Sequence, residues 1–263
     1  MMCPVGIRMG VRRVAERLSR GVVLRRRLPA KFRRLPILVT PEAGLRFWYR
    51  MSQVDPLLYN MAEELVKPGY AVWDVGANVG LFSFCAAARS GRSGFVLAIE
   101  PDFWLAQLIQ RSSQELSRSR TDCSEVRVLC ASASDSNRVA ELAIAKRARA
   151  SNHLTEVTGA SPSGGTRALQ LSVSLTLDSL LQQFPPPTVL KIDVETHEAS
   201  VLKGAERLLK EIRPTIWCEV SPENSTTITQ LLQGAGYELF GAQTNPHQRT
   251  KRAWFQTLAI PKP

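Results

Sequence analysis

From about residue 70 the sequence alternates short apolar runs with stretches of helical spacing. The runs at 71–76, 95–100, 126–131, 188–194 and 215–220 have the length and composition of strands buried on both faces. Residues 81–89, 102–118 and 197–212 between them read as helices. This alternation predicts an α/β fold whose mostly parallel sheet is covered by helices on both sides. The pattern changes near the end. A helix over 226–233 stops at Gly234 and Gly236, and strand-like runs follow at 237–240 and 254–260. No helical stretch separates these two, so the pair predicts an antiparallel hairpin.

Residues 136–187 interrupt the alternation. They hold a flexible turn at 161–165 and a stiff spacer at Pro185, Pro186 and Pro187. In between, Leu171, Val173, Leu175 and Leu177 alternate with polar residues, which predicts a half-exposed strand. A long insertion at the carboxyl edge of a parallel sheet is a common substrate lid. The expected organisation is a basic arm over 1–35 and a single domain over 36–263, with a lead-in at 36–69 and the insertion at 136–187. No internal repeat is present.

The composition fits one large α/β domain: 263 residues, 44% hydrophobic and 22% charged. Wholesale disorder and fibrous folds are excluded. The formal net charge is +11, but it is not spread evenly. Residues 1–35 hold eleven cations against one acid, Glu16, a net +10. The remainder holds 23 cations against 22 acids, a net +1. Val11, Val14, Ala15, Leu18 and Val22 fall at helical spacing, with Arg12, Arg13, Arg17 and Arg20 on the other faces. That pattern predicts a basic amphipathic helix, and residues 8–34 as a contact for an anionic membrane surface. A solvated extension and a mitochondrial presequence are the alternatives, although the arm holds a single serine, Ser19. Nucleic acid is disfavoured, because Phe32 is the arm's one aromatic residue.

No run approaches the roughly 18 apolar residues of a membrane span, and arginines break any signal-peptide core before Pro36. The five cysteines, Cys3, Cys85, Cys123, Cys130 and Cys218, form no paired motif, which argues against a disulfide framework or structural zinc. The expected location is cytoplasmic, at the membrane periphery if the arm binds there, with mitochondria as the alternative.

Chemistry concentrates at strand ends. The first strand of the alternation ends in Asp74-Val-Gly76-Ala-Asn78-Val-Gly80. Gly76 permits a tight turn and close approach of a ligand, and Gly80 permits close packing at the helix start. The spacing departs from Gly-x-Gly-x-x-Gly, which cradles a pyrophosphate. An acid before the first glycine suits an amine-bearing ligand better. The second strand ends in Glu100, which can accept both hydroxyls of a ribose. After the third strand, Asp135 could reach the exocyclic amine of an adenine.

On the fourth strand Val189, Lys191, Asp193 and Glu195 share a face. A lysine on a buried strand needs a partner, and Asp193, Glu219 or another nearby carboxylate is expected to supply it. Asp193, Glu195 and His197 converge where chemistry is expected. His197 has the pKa best suited to a general base, with Asp193 or Glu195 orienting it or binding an acceptor. Acids in a helix's first turn are also favoured by its macrodipole alone, a second explanation for Glu195 and Glu198. A divalent metal on Asp193, Glu195 and Glu219 is another use of the same acids, but no metal site is assigned.

The three strand-end contacts have the layout of class I S-adenosylmethionine-dependent methyltransferases. The segments 72–80, 99–101 and 191–198, with Val201-Leu-Lys-Gly-Ala205, resemble the FkbM family of methyltransferases over roughly residues 55–220. The family more usually reads Glu-Gly-His where this chain has Glu195-Thr196-His197. The resemblance implies a Rossmann-like three-layer fold, a seven-stranded sheet and S-adenosylmethionine as cofactor. It further implies O-methylation of a small molecule, glycan, lipid or natural product. A non-catalytic binding module and an NAD-type oxidoreductase are the alternative classes.

Overall fold

The computed structural model describes residues 18–118, 122–146, 148–155, 165–244 and 247–263. The arm helix expected from residue 11 lies outside the described residues except for its last positions, 18–22. Strand β1 (Leu24–Arg27) pairs antiparallel with β2 (Pro36–Val39). Leu28, Phe32 and Leu35 are buried, and Arg25 and Lys31 ion-pair with Glu115 and Glu63. The second half of the basic segment is thus packed on the domain. Helix α1 (Pro56–Leu65) follows, its first turn capped by Asp55 accepting the Leu58 N–H.

The alternating elements come next: β3 (Ala71–Val75), α2 (Leu81–Ser90), β4 (Phe95–Ile99), α3 (Phe103–Arg118) and β5 (Glu125–Leu129). Strand β6 (Ser132–Ala133) follows, and the insertion contributes β7 (Arg138–Ala145), β8 (His153–Leu154), β9 (Thr166–Leu175) and the single turn α4 (Leu177–Leu180). Then come β10 (Val189–Ile192), α5 (Glu198–Lys203), β11 (Thr215–Glu219) and α6 (Ser225–Gly234). The chain closes with β12 (Tyr237–Gly241), β13 (Gln248–Thr250) and β14 (Gln256–Pro261).

The main sheet has the order β13-β12-β14-β11-β10-β3-β4-β5. Strands β11 through β5 are parallel, and β14 runs antiparallel between β11 and β12. The expected antiparallel ending is present, and short β13 extends the sheet to an eighth strand. Alternate strand residues feed two cores. Val72 and Val96 face α2, α3 and the amino-terminal segments, while Trp73, Val75, Leu97 and Ile99 face the α5 and α6 side.

Two local patterns differ from the sequence reading. The helix expected over 197–212 is broken: α5 ends at Gly204, and a π-helical turn follows at Leu208–Ile212. A Cβ on Gly204 would stand 2.0 Å from the Ser134 carbonyl oxygen, so only glycine fits where the helix breaks. In β9 the strand is present with the opposite facing. Leu169, Leu171 and Val173 are exposed, and Ser172 and Ser174 are buried. Strands β6 to β9 form a second sheet, β6-β9-β7-β8, in which Ser172 pairs with Ala140 of β7, beside the small buried cluster of Ala140, Leu142, Ile144 and Leu154. Among the described residues no helix is long and apolar enough to cross a membrane.

Candidate active site

A cavity of about 300 Å³ opens at the carboxyl ends of β3, β4, β10 and β11. Strand order reverses there, with β4 on one side of β3 and β10 on the other, the position where open α/β sheets bind ligands. On the β3 side the wall is the Gly76–Asn78 loop with Glu100. Gly76 adopts φ +77°, and a Cβ there would lie 1.9 Å from the Asp193 carbonyl oxygen, so only glycine fits. Gly80, φ +80°, lies outside the lining and packs against Phe84 and Ile109. Asn78 is also left-handed, at φ +57°, and its Oδ1 is buried with no hydrogen-bond partner.

Glu100 is buried, and its two oxygens accept the backbone N–H groups of Asn78 (2.7 Å) and Asp102 (2.9 Å). It pins the glycine loop to the end of β4. Burial outweighs these donors, and with the Asp102 and Asp74 charges it pushes the carboxyl up to about 8. The third-strand edge of the cavity is formed by Ala131, Ser132 and Ala133. Asp135 sits farther along, exposed and ion-paired with Arg138 at 3.5 Å.

Asp74 is not in the cavity wall. It is fully buried beneath it, accepting from Ser83 Oγ (2.6 Å) and pairing with Lys191 Nζ (3.1 Å). Lys191 also pairs with Asp193 (3.1 Å), so the partner expected from burial is found and a second is added. These two carboxylates hold the ammonium charged and raise its pKa against the opposing effect of burial. Asp193, Glu195 and His197 all line the cavity. His197 precedes α5, with Nε2 2.9 Å from Ser134 Oγ. Thr196 takes φ +61°, a left-handed conformation costly for a β-branched side chain. Glu198 braces this loop, accepting from the Thr196 N–H, Ser221 Oγ and Asn224 Nδ2.

The sequence points to Glu219 as a partner for Lys191 or a metal ligand, but sequence reasoning missed the groups around it. At the end of β11 Glu219 accepts from Gln256 Nε2 (2.6 Å), and Gln256 Oε1 accepts from Trp217 Nε1 (2.7 Å). Burial and the Asp193 charge, opposed by Lys191, push the Glu219 carboxyl up to about 7. Glu195 is pushed to about 7 as well, by burial and then by Asp193 and Glu198. Its side chain nevertheless reaches solvent, which screens those charges. The roof was also missed. Arg149 and Asn152 of the insertion line the cavity and bind the Asp102 carboxylate, while Arg149 also reaches Glu42 of the lead-in. Position in sequence gives no signal for Gln256, Arg149 or Asn152. Among the described residues no three His, Cys, Asp or Glu side chains are grouped to hold a metal ion.

Five parallel strands with an antiparallel β14 wedged beside β11, and a glycine loop and acid at the order reversal, define a class I methyltransferase fold. A family model described as the methyltransferase FkbM domain matches residues 74–239, more than half of the chain. The chain belongs to the FkbM methyltransferase family. Among solved structures, it is similar to the methyltransferase FkbM from Methylobacillus flagellatus, at 17% identity and a TM-score of 0.48. That match covers 76% of this chain and 50% of the other, so the chain spans half the length of that protein. A precorrin-6y C5,15-methyltransferase from Geobacter metallireducens matches at 13% identity and a TM-score of 0.45, covering 80% and 88%. A SAM-dependent O-methyltransferase from Thermotoga maritima matches at 14% identity and a TM-score of 0.42, covering 77% and 62%. No curated protein matches the sequence.

Proposed function

We propose that the protein transfers a methyl group from S-adenosylmethionine to a hydroxyl of a small molecule, glycan, lipid or natural product. One observation carries this reading. The Gly76–Asn78 loop and Glu100 share a single cavity with Asp193, Glu195, His197 and Glu219.

The residues fit the cofactor. Each Glu100 oxygen accepts one backbone N–H and keeps a lone pair for a ribose hydroxyl. The orphaned Asn78 Oδ1 is an acceptor awaiting a donor such as an α-ammonium group. Ser132 and Ala133 border the adenine end, while Asp135 lies outside the cavity wall, paired with Arg138. Asp74 and Gly80 support the loop from below. The carboxylates of Asp193, Glu195 and Glu219 favour a cationic ligand and disfavour the pyrophosphate of NAD.

S-adenosylmethionine supplies an electrophilic methyl group carried on a positive sulfonium. The chain's part is to align the acceptor and to take its proton. Glu219 is the proton acceptor in our reading. Gln256 fixes one of its oxygens, and the other has no hydrogen bond to a described residue. A carboxyl near 7 is matched to that task at neutral pH. Asp193, held by Lys191, and Glu195 at the lip bind and orient the hydroxyl. His197, fixed by Ser134, lines the same edge.

Calorimetric titration tests the cofactor assignment: S-adenosylmethionine and S-adenosylhomocysteine bind, and NAD does not. Absence of heat with both sulfur ligands would sink the reading. A screen of hydroxyl acceptors with radiolabelled methyl donor then identifies the second substrate.

A further inference from the structure

We propose that the surface formed by residues 18–21 and 44–50, which adjoins the cavity wall at Arg46 and Phe47, is a docking surface for an anionic lipid bilayer. Two aromatic side chains stand exposed there, Trp48 at 43% and Tyr49 at 70%. Phe47 in the same turn is buried and lines the cavity, so this turn sends one aromatic inward and two outward. Trp48 Nε1 donates to Ser19 Oγ at 3.1 Å, which brings the amino-terminal segment onto the turn. The neighbour of Ser19, Leu18, is 69% exposed. A second tie fixes the segment: the Gly21 N–H donates to Glu42 Oε1 at 2.7 Å, and Glu42 is ion-paired with Arg149 and Arg167 of the roof.

The exposed charge on these two segments is positive, although Arg46 is ion-paired with Asp55 at 2.9 Å and Glu42 with Arg149 and Arg167. Arg20, Arg46 and Arg50 are exposed on the same two segments. Residues 17–41 and 43–54 contain no Asp or Glu, and Arg8, Arg12 and Arg13 precede them in sequence with one acid, Glu16. Tryptophan and tyrosine partition to the boundary between lipid and water because each joins an apolar ring to a polar edge. Arginines beside them are drawn to anionic headgroups. The polar edge of Trp48 is already satisfied by Ser19, which leaves its apolar faces to be buried. Leu18 adds an aliphatic group that suits an acyl boundary and has no use in stacking on nucleotide bases. Arg46 and Phe47 line the cavity while Trp48 and Tyr49 are exposed beside them, so docking through this turn brings one wall of the cavity next to the bilayer.

The surface neither depends on the transfer reaction nor is needed for it, so it is tested by binding alone. The full chain is sedimented with vesicles of phosphatidylcholine and with equimolar phosphatidylcholine and phosphatidylglycerol. We expect binding to the anionic vesicles and little to the neutral ones. Trp48→Ala/Tyr49→Ala lowers the bound fraction by about tenfold through lost apolar burial. Tyr49→Ala alone gives a partial loss, and its exposed side chain makes it safe for folding. Arg20→Glu/Arg50→Glu removes the preference for anionic vesicles and its sensitivity to salt. Two results would overturn the proposal: no sedimentation with anionic vesicles, or sedimentation unchanged in both aromatic variants, which would assign binding to residues 1–17 alone. A third is aromatic-dependent binding of poly(U) RNA that displaces the vesicles.

Discussion

Lys191 Nζ lies 3.1 Å from Asp74 Oδ1 and 3.1 Å from Asp193 Oδ2, joining a carboxylate sealed in the core to one that faces the cavity. Asp74 has no solvent exposure and Lys191 has 4%. Removing the ammonium strands Asp74 in apolar surroundings. Lys191→Met should therefore cost about 3–5 kcal/mol. Lys191→Met/Asp74→Asn should recover much of that loss, because no unpaired charge remains. Urea denaturation of the two variants checks both expectations, and equal stability of the two would refute the coupling.

Thr196 offers a change in the other direction. Its φ of +61° costs a β-branched residue about 1–2 kcal/mol. Thr196→Gly releases that strain, loses the Oγ1 hydrogen bond to the Glu195 carbonyl, and gains unfolded-state entropy. The net expectation is a stabilisation of up to about 1 kcal/mol. A lower melting temperature would show that the loop is not strained.

Stability should fall as pH rises through neutrality. Burial raises the Glu100 carboxyl to about 8 and that of Glu219 to about 7. The unfolded chain binds fewer protons at these sites than the folded one. Their contribution is full at or below the ordinary carboxylate range, about 4.3, and is lost as pH climbs to about 8. Melting temperatures of the ligand-free protein should decline over that window, and the decline should be shallower in Glu219→Gln.

For turnover, Glu219→Gln should lower kcat by about 10²–10⁴-fold while leaving affinity for S-adenosylhomocysteine within a few-fold. Gln256→Ala acts on Glu219 indirectly, so its mark is a shifted pH–rate profile with a smaller loss. Asp193→Asn should abolish turnover with cofactor binding largely kept. Glu100→Gln should show the opposite split, losing cofactor affinity because one of its oxygens is gone. Calorimetry and steady-state rates separate the four variants.

The parallel half of the sheet was legible because each strand is a short apolar run between helices, and the acids at strand ends followed from where such sheets bind ligands. The need for a Lys191 partner followed from burial alone. The roof and the Trp217–Gln256–Glu219 chain were not legible. Arg149 meets Asp102 across the insertion, and Gln256 arrives from a strand whose pairing is fixed only by the closed sheet. The facing of β9 was hidden for a related reason. Period-two alternation marks a strand but not its inner side, and Ser172 and Ser174 are the ones buried.

The position of β14 governs when the protein can work. This strand is made after β11 and β12 yet lies between them, paired to both. A nascent or nicked chain lacking residues 256–261 has two open strand edges facing an empty slot, the arrangement most prone to pairing with other chains. It also lacks Gln256, the residue that fixes Glu219. Completion of the sheet and completion of the site are thus the same event in the life of the chain.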